Sequence, residues 1–318
     1  MTARGRLVRT TRWLALFVAI ALVTIALRRM DVARAWSELS AVRPGWLGAA
    51  LLCYFAILPL WAVQWHLLAP FAPGRPLARM FAVVSMTSTV LNTTPLLVGE
   101  ATGVVLLVTL GGLSRAAALS VLAMDQLLVG IAKLIVLGTA ALLVALPRWM
   151  PGTVAPLAMG VAALLALLSI AAWRHTQLAR WAARVAAPRL GDGLASLGEA
   201  LAPLRSPARG GGSLLLALAK KSAEIAAILC IQRAFGVSLP IASGVFVLAC
   251  LNLATLVPVV PGNVGVYEAA VVVAYSWFGL PAEQALGIAV VQHVCYFVAL
   301  ALPGAWWIVR GRTEATPV

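Results

Sequence analysis

One stretch of this chain combines helix-breaking residues with a carboxylate inside an otherwise apolar sequence. Residues 257–270 read VPVVPGNVGVYEAA. Pro261 removes a backbone donor, and Gly262 and Asn263 tolerate the left-handed backbone that a sharp reversal needs. The pattern predicts a broken helix in which Asn263 caps a new helix and Glu268 lies in its first turns, near the positive end of the dipole. Because unwound backbone at membrane depth is tolerated only inside protein or along a wet cavity, this break is a candidate binding site.

A second break lies earlier in the chain. Apolar residues 80–91 meet the sequence NTTP at 92–95, and another apolar piece runs from residue 96 to 110. At about 1.5 Å per residue, helices of these lengths reach about 18 and 22 Å, whereas the hydrocarbon core of a bilayer is about 30 Å thick. Each break is therefore predicted to form a re-entrant hairpin or one broken helix.

The two broken segments share an order of residue types. Both contain a proline, a glycine, a glutamate, a Gly-Leu pair, an Ala-Leu pair and two adjacent polar residues. The first set is Pro95, Gly99, Glu100, Gly112, Leu113, Ala118, Leu119, Asp125 and Gln126, and the second is Pro261, Gly265, Glu268, Gly279, Leu280, Ala285, Leu286, Gln292 and His293. The shared order predicts an internal repeat, with one copy at about 80–146 and the other at about 241–309.

Composition places the chain among membrane proteins. It is 62% hydrophobic and 11% charged over 318 residues, outside the range of soluble domains. Many apolar runs are long enough to span a bilayer, which predicts an all-α, polytopic membrane protein with one transmembrane domain over residues 1–318. The net charge of +14 comes from arginines between the apolar runs, so it indicates positive-inside loops and contact with anionic lipid, and no nucleic-acid partner.

Charge also predicts the topology. If both breaks are re-entrant, about six full spans remain, and the basic N-terminus, the six-arginine loop at 174–212 and the basic C-terminus all face the cytoplasm. The first hairpin then enters from the cytoplasm and the second from outside, which makes the two segments an inverted repeat. A fully crossing 80–110 segment would put the basic loop outside, against the positive-inside rule.

Several ionisable residues fall within apolar runs, where charges are costly and functional by default. Asp125 and Lys133 are eight residues apart on one helix face, too far to pair directly. The cluster Lys220, Lys221 and Glu224 is interpreted as a cytoplasmic helix end, with Lys220 and Glu224 one turn apart. The four cysteines are interpreted as packing residues, and no metal site or cofactor is predicted.

Inverted repeats with broken helices indicate a transport site near the membrane midplane. Half-helix N-termini would direct partial positive charge into one shared cavity, which suits an anionic group such as a lipid phosphate. Glu100 and Glu268 either bind protons, cations or a lipid amine, or neutralise their own helix N-termini. The predicted substrate-binding residues are Pro95, Gly99, Glu100, Asp125, Gln126, Pro261, Gly262, Asn263, Gly265, Tyr267, Glu268, Gln292 and His293.

The stretch PGNVGVYEAAVVVAYSWFGLPAEQALGIAVVQH, together with TTPLLVGEATG, resembles the lysylphosphatidylglycerol synthase transmembrane-region family of flippase-like membrane proteins. The resemblance covers roughly residues 10–310. It implies a bundle of helices in the bacterial inner membrane that moves or holds lipids. The chain shows no aminoacyl-transfer domain, and it lacks the arginines that family members often carry after the first Gly-Glu and in the long span after each hairpin.

Two classes of function remain. The first is a lipid translocase or lipid-binding transporter that acts on an anionic head group at the hairpin tips, with membrane lipids as its partners. The alternative is a membrane enzyme, or an accessory subunit with a membrane enzyme as partner, in the modification of lipids or polyisoprenoid-linked sugars. The chain shows no nucleophile–base set, which favours the first class. A scaffold with purely structural breaks is a third reading.

Overall fold

The computed structural model describes residues 42–70, 76–94, 98–148, 150–184, 206–256 and 260–314. The described residues are all-helical, as predicted. The helices are α1 Pro44–Phe55, α2 Ile57–Leu68, α3 Leu77–Thr93, α4 Val98–Thr109, α5 Arg115–Leu143, α6 Met150–Arg184, α7 Pro207–Ala234, α8 Ile241–Ala254, a 3-10 turn Pro261–Asn263, α9 Val266–Trp277 and α10 Ala282–Glu314. The basic N-terminus and Pro95 lie outside the described residues.

Three helical stretches in the described part of the chain are long and apolar enough to cross a membrane: Pro44–Leu68, Arg115–Leu143 and Ala282–Arg310. The first of these is α1 and α2 together, which meet at Ala56. These stretches confirm the membrane-protein class. The number of spans stays a prediction.

Both predicted breaks separate short helices. In the first hairpin, defined as α3 and α4, α3 ends at Thr93 and α4 begins at Val98. In the second hairpin, defined as α8 and α9, α8 ends at Ala254 and α9 begins at Val266. With 12 residues each, α4 and α9 reach about 18 Å, so neither spans a bilayer alone.

The start of α9 differs from the prediction in one respect. Asn263 does not cap the helix; it closes the 3-10 turn with a φ of 55°. The N-cap is Gly265, whose φ of 85° is open to glycine at little cost. Three residues with positive φ, Gly262, Asn263 and Gly265, precede α9, so the helix begins later than Asn263.

The two hairpins pack in a reciprocal manner. α3 packs against α4 and against α10, whereas α8 packs against α9 and against α5. Each hairpin therefore contacts the long helix that follows the other hairpin. Their tips also approach one another, because a Cβ placed on Gly262 would lie 3.1 Å from the carbonyl oxygen of Asn92.

The connection after α6 is shorter than the predicted loop at 174–212. Residues 174–184 continue α6 as far as Arg184, and α7 begins at Pro207. The described start of the predicted loop is therefore the end of a 35-residue helix. The middle of the predicted loop, 185–205, lies outside the described residues.

Close contact between α3 and α10 depends on Gly304. The hydroxyl of Thr89 donates to the carbonyl of Ala301 at 2.6 Å, which bonds the two helices directly. A Cβ on Gly304 would overlap the Ser85 carbonyl oxygen and the Thr89 hydroxyl. Small residues let helix backbones approach in membranes, and this pair of helices uses that freedom.

Replacing Gly304 by Ala should therefore destabilise the protein. We expect a loss of about 1–3 kcal/mol, the usual cost of overpacking, seen as a lower melting temperature in detergent. Gly160→Ala is the matched control, because Gly160 is an exposed helical glycine with nothing within 4 Å of a Cβ. Alanine favours a helix over glycine, so the control should be neutral or stabilising. Equal melting temperatures for both variants would contradict the close contact.

Candidate functional site

A cavity of about 320 Å³ lies where the two hairpins meet the long helices. We call it the central cavity. Its volume falls in the range of about 300–1,000 Å³ that is typical of small-molecule sites. Its charged lining residues are Glu100 on α4, Asp125 and Lys133 on α5, and Lys220, Lys221 and Glu224 on α7. Three formal charges of each sign therefore lie on the wall of one cavity.

Lysine is confined to this cavity. The chain has 24 basic residues, of which only Lys133, Lys220 and Lys221 are lysines, and all three line the central cavity. Every other basic residue is an arginine. A lysine ammonium is a compact, strongly hydrated point charge with three donors, and it binds phosphate in many proteins.

A buried ion pair joins α5 to α7. The Lys220 ammonium lies 3.6 Å from the Asp125 carboxylate, and the two side chains are 8% and 3% exposed. Trp61 on α2 contacts both partners: its indole nitrogen donates to Asp125 at 3.2 Å, and its ring lies 5.2 Å beneath the Lys220 ammonium. Asp125 was expected to lack a partner on its own helix, and the structure supplies one from another helix.

A second ion pair lies one residue further along α7. Lys221 contacts both oxygens of Glu224 at 2.8 and 2.9 Å and donates to the side-chain oxygen of Asn252 on α8 at 3.3 Å. The interpretation of these charges as a helix end was wrong, because Lys221 lies near the middle of α7. The partner of Glu224 is also Lys221 and not Lys220.

Two charged groups in the cavity keep no partner among the described residues. These are the Lys133 ammonium and one oxygen of the Glu100 carboxylate, Oε2, which is buried without a hydrogen bond. Buried charges in proteins are normally paired or hydrogen-bonded. An unpaired cation and an unpaired anion in one cavity therefore indicate groups that meet a ligand or water.

The second hairpin lines the cavity with Asn263 and Tyr267, and it contacts His293 of α10 through Glu268. The Glu268 carboxylate accepts from the backbone nitrogen of Gly265 at 2.7 Å, which ties down the start of α9. Its other oxygen lies 2.6 Å from Nδ1 of His293 on α10. His293 in turn stacks on the ring of Tyr267 with centroids 4.2 Å apart.

Aromatic rings line the same side of the cavity. Tyr54 on α1 and Tyr296 on α10 meet edge to face at 5.5 Å, and Tyr267 lies 6.0 Å from Tyr296. The Tyr267 hydroxyl accepts from the amide of Gln292 at 2.8 Å. The cavity thus combines an ionic side at α5 and α7 with an aromatic side at α1, α9 and α10.

The structure brings many of the sequence-predicted residues to one place. Those that line the cavity are Glu100, Asp125, Gln126, Gly262, Asn263, Tyr267 and His293. Gly265, Glu268 and Gln292 lie behind them and hold Tyr267 and His293 in position. Gly99 packs against Leu91, and Pro261 is exposed outside the lining.

The sequence prediction missed several lining residues. The missed charges are Lys220, Lys221 and Glu224, and the missed aromatic residues are Tyr54, Trp61 and Tyr296. The charges carried a usable signal, because they interrupt a run that was expected to span the membrane. The aromatic residues carried none, since tyrosine and tryptophan are also common in apolar helices.

Comparison with known proteins gives one match. A family model described as the lysylphosphatidylglycerol synthase TM region matches residues 12–304. The matched range contains both hairpins and every residue of the central cavity named above. Comparisons with curated proteins and with solved structures gave no match.

Proposed function

The chain belongs to the lysylphosphatidylglycerol synthase TM region family, which points to a lipid-related function in a membrane, and from this premise we propose that it is a lipid translocase or lipid-binding transporter. The central cavity would hold the head group while the tails stay in the bilayer. The lipid would carry an anionic phosphate. We propose the bacterial cytoplasmic membrane as its location.

The confinement of lysine to the cavity carries this proposal. The basic residues in the rest of the chain are arginines, whereas the three lysine side chains all line the central cavity. Two of them are held by Asp125 and Glu224, and the third, Lys133, has no ion-pair partner among the described residues. A phosphate oxygen would give the partly buried Lys133 ammonium a partner of opposite charge.

The depth of the cavity supports a lipid as the ligand. Asp125 and Lys133 lie in the middle part of α5, and His293 lies in the middle part of the apolar stretch Ala282–Arg310, both of which are long enough to cross a membrane. A site at that depth is distant from either aqueous face. Apolar side chains such as Ile57, Leu91 and Leu300 line the cavity beside the charges, which suits an amphipathic ligand.

Reciprocal hairpin packing supports an inverted repeat as the framework of transport. α3 contacts α10 while α8 contacts α5, as expected if the two halves exchange equivalent elements. Alternating access in transporters with inverted repeats arises from movement of one repeat against the other around a fixed site. We propose the two segments at about 80–146 and 241–309 as these repeats, with six full spans and both termini in the cytoplasm.

Reporter fusions test this topology. A reporter inserted between residues 190 and 210 should be active in the cytoplasm, because that region is basic, and one at residues 148–152 should be active outside. The paired positions flank α6, so they serve as controls for each other. Activity of both reporters on the same side would overturn the six-span arrangement.

Lipid movement by the purified protein tests the function. The protein would be reconstituted into vesicles of phosphatidylcholine and phosphatidylglycerol with a trace of fluorescent phosphatidylglycerol, and the fraction of dye open to an external quencher would be followed in time. We expect movement faster than in protein-free vesicles prepared alongside. Movement at the protein-free rate would overturn the translocase proposal, and conversion of the labelled lipid into a new product would favour the membrane enzyme.

A further inference from the structure

We propose that His293 binds a proton from the central cavity and that this protonation is coupled to occupation of the cavity by the anionic head group. The inference rests on the proposed function and adds an energy source to it. It is carried by the arrangement of hydrogen bonds around the imidazole ring.

The contacts of Glu268 determine which ring nitrogen of His293 carries a hydrogen. One carboxylate oxygen accepts from the backbone nitrogen of Gly265 at 2.7 Å, and the other lies 2.6 Å from Nδ1 of His293. With the Glu268 carboxylate ionised, this short contact places the hydrogen on Nδ1. The lone pair of the neutral ring is then on Nε2.

Of the two ring nitrogens of His293, Nε2 is the one that can accept a proton. Among the described residues no hydrogen bond joins it to a partner, and His293 lines the central cavity. Imidazole is the side chain whose unperturbed charge change falls between about pH 5 and 8. A proton taken up at Nε2 leaves the Nδ1–Glu268 bond in place and gives an imidazolium–carboxylate pair.

Two neighbours contact the ring and hold it in position. The Glu268 carboxylate provides an opposite charge at hydrogen-bond distance. The Tyr267 ring stacks on the imidazole with an interplanar angle of 11° and offers its electron-rich face to a cation. The Tyr267 hydroxyl is itself fixed by Gln292, so the platform is positioned before the proton arrives.

The effect of one added proton on the net charge of the cavity depends on the other ionisable groups around it. The other ionisable groups on its wall are Glu100 on α4, Asp125 and Lys133 on α5, Lys220, Lys221 and Glu224 on α7, and the phenols Tyr54 on α1, Tyr267 on α9 and Tyr296 on α10. From α3 the lining residues Ser88 and Asn92 do not titrate. Three lysines balance three carboxylates on the wall, and the Glu268 carboxylate behind it adds one negative charge, so protonation of His293 removes the net negative charge of the site.

A cavity without that net negative charge attracts a phosphate more strongly than one that carries it. By reciprocity, a bound phosphate also raises the affinity of His293 for its proton. Proton and anionic head group should therefore enter the cavity together. Couplings of this kind typically change affinity by about 5–150-fold, so a pH gradient would drive lipid movement.

The test compares two histidine variants across pH. In His293→Gln the amide can still donate to Glu268, but it cannot take up a proton in this range. The matched control is His66→Gln, because His66 lies on α2, has a buried Nδ1 without a hydrogen-bond partner and does not line the cavity. Movement of fluorescent phosphatidylglycerol would be followed in the vesicles described above between about pH 5.5 and 8, which brackets the imidazole range.

We expect the wild-type rate to fall roughly tenfold as the pH rises through this range, the lower part of the usual coupling range. His66→Gln should keep this profile, and His293→Gln should be flat. A purely structural role of His293 would lower the rate equally at all pH values. As a second measurement, short-chain phosphatidylglycerol added to the protein in weakly buffered detergent should cause proton uptake in the wild type and none in His293→Gln.

Three results would overturn the coupling. A wild-type rate that does not change with pH, or a His293→Gln variant with the wild-type profile, would reject it while the translocase proposal stands. Equal proton uptake by wild type and variant would reject it as well. Absence of lipid movement and of lipid binding at every pH would reject the translocase proposal, and the coupling with it.

Discussion

Replacing Lys133 by Gln is expected to slow lipid movement by roughly 10- to 100-fold, the equivalent of losing one charge-assisted hydrogen bond of about 1.5–3 kcal/mol. Lys133 lines the central cavity and has no ion-pair partner among the described residues, so its charge is available to a phosphate. Glutamine keeps most of the length of the side chain and removes the charge. The measurement is the initial rate of phosphatidylglycerol movement in vesicles.

The same variant should fold as well as the wild type or better. Removing an unpaired, partly buried charge relieves a desolvation cost, so the melting temperature should be unchanged or higher. Arg115→Gln is the control, because Arg115 begins the same helix, is exposed and does not line the cavity. A Lys133→Gln variant that moves lipid at the wild-type rate would show that this ammonium does not meet the head group.

Asp125→Asn should destabilise the protein by about 3–5 kcal/mol, the usual cost of breaking a buried ion pair from one side. Asp125 is 3% exposed, and its carboxylate lies 3.6 Å from the Lys220 ammonium, which is also buried. The variant leaves Lys220 charged without its counter-ion. The loss would be measured as a shift of the denaturation midpoint in detergent.

Two further variants test whether the loss comes from the Asp125–Lys220 ion pair. Glu100→Gln makes the same type of change at a cavity carboxylate with an unsatisfied oxygen, and it should cost little or nothing. Asp125→Asn combined with Lys220→Gln removes both charges and should recover much of the stability, because no buried charge is then left unpaired. Additive losses in the double variant would show that the two side chains do not interact.

The elements were easier to predict from the sequence than their contacts. Prolines, glycines and the lengths of apolar runs place the breaks at 92–97 and 255–265 within a few residues, because these signals are local. The N-cap of α9 was placed at Asn263 and lies at Gly265. Both residues are suitable caps, and only the geometry of the 3-10 turn decides between them.

The contacts within the site could not be predicted from local sequence signals, because they join helices that are distant along the chain. Asp125 pairs with Lys220, 95 residues away, because α5 packs against α7. On α5 itself, the basic residue nearest to Asp125 in the sequence is Lys133, which forms no ion pair with Asp125. The cluster at 220–224 was assigned to a helix end because charges are common there, whereas α7 carries it near its middle. Only the packing of the helices against one another distinguishes these interpretations.

The confinement of lysine to the cavity makes ordinary amine chemistry a selective label for the cavity of this protein. Apart from the chain terminus, an acylating reagent can react only at Lys133, Lys220 or Lys221. The extent of modification therefore reports whether the cavity is open, closed or filled, without any engineered label. A lysine-specific protease has its cleavage sites at the same three positions, all inside helices, so cutting would report opening of α5 or α7.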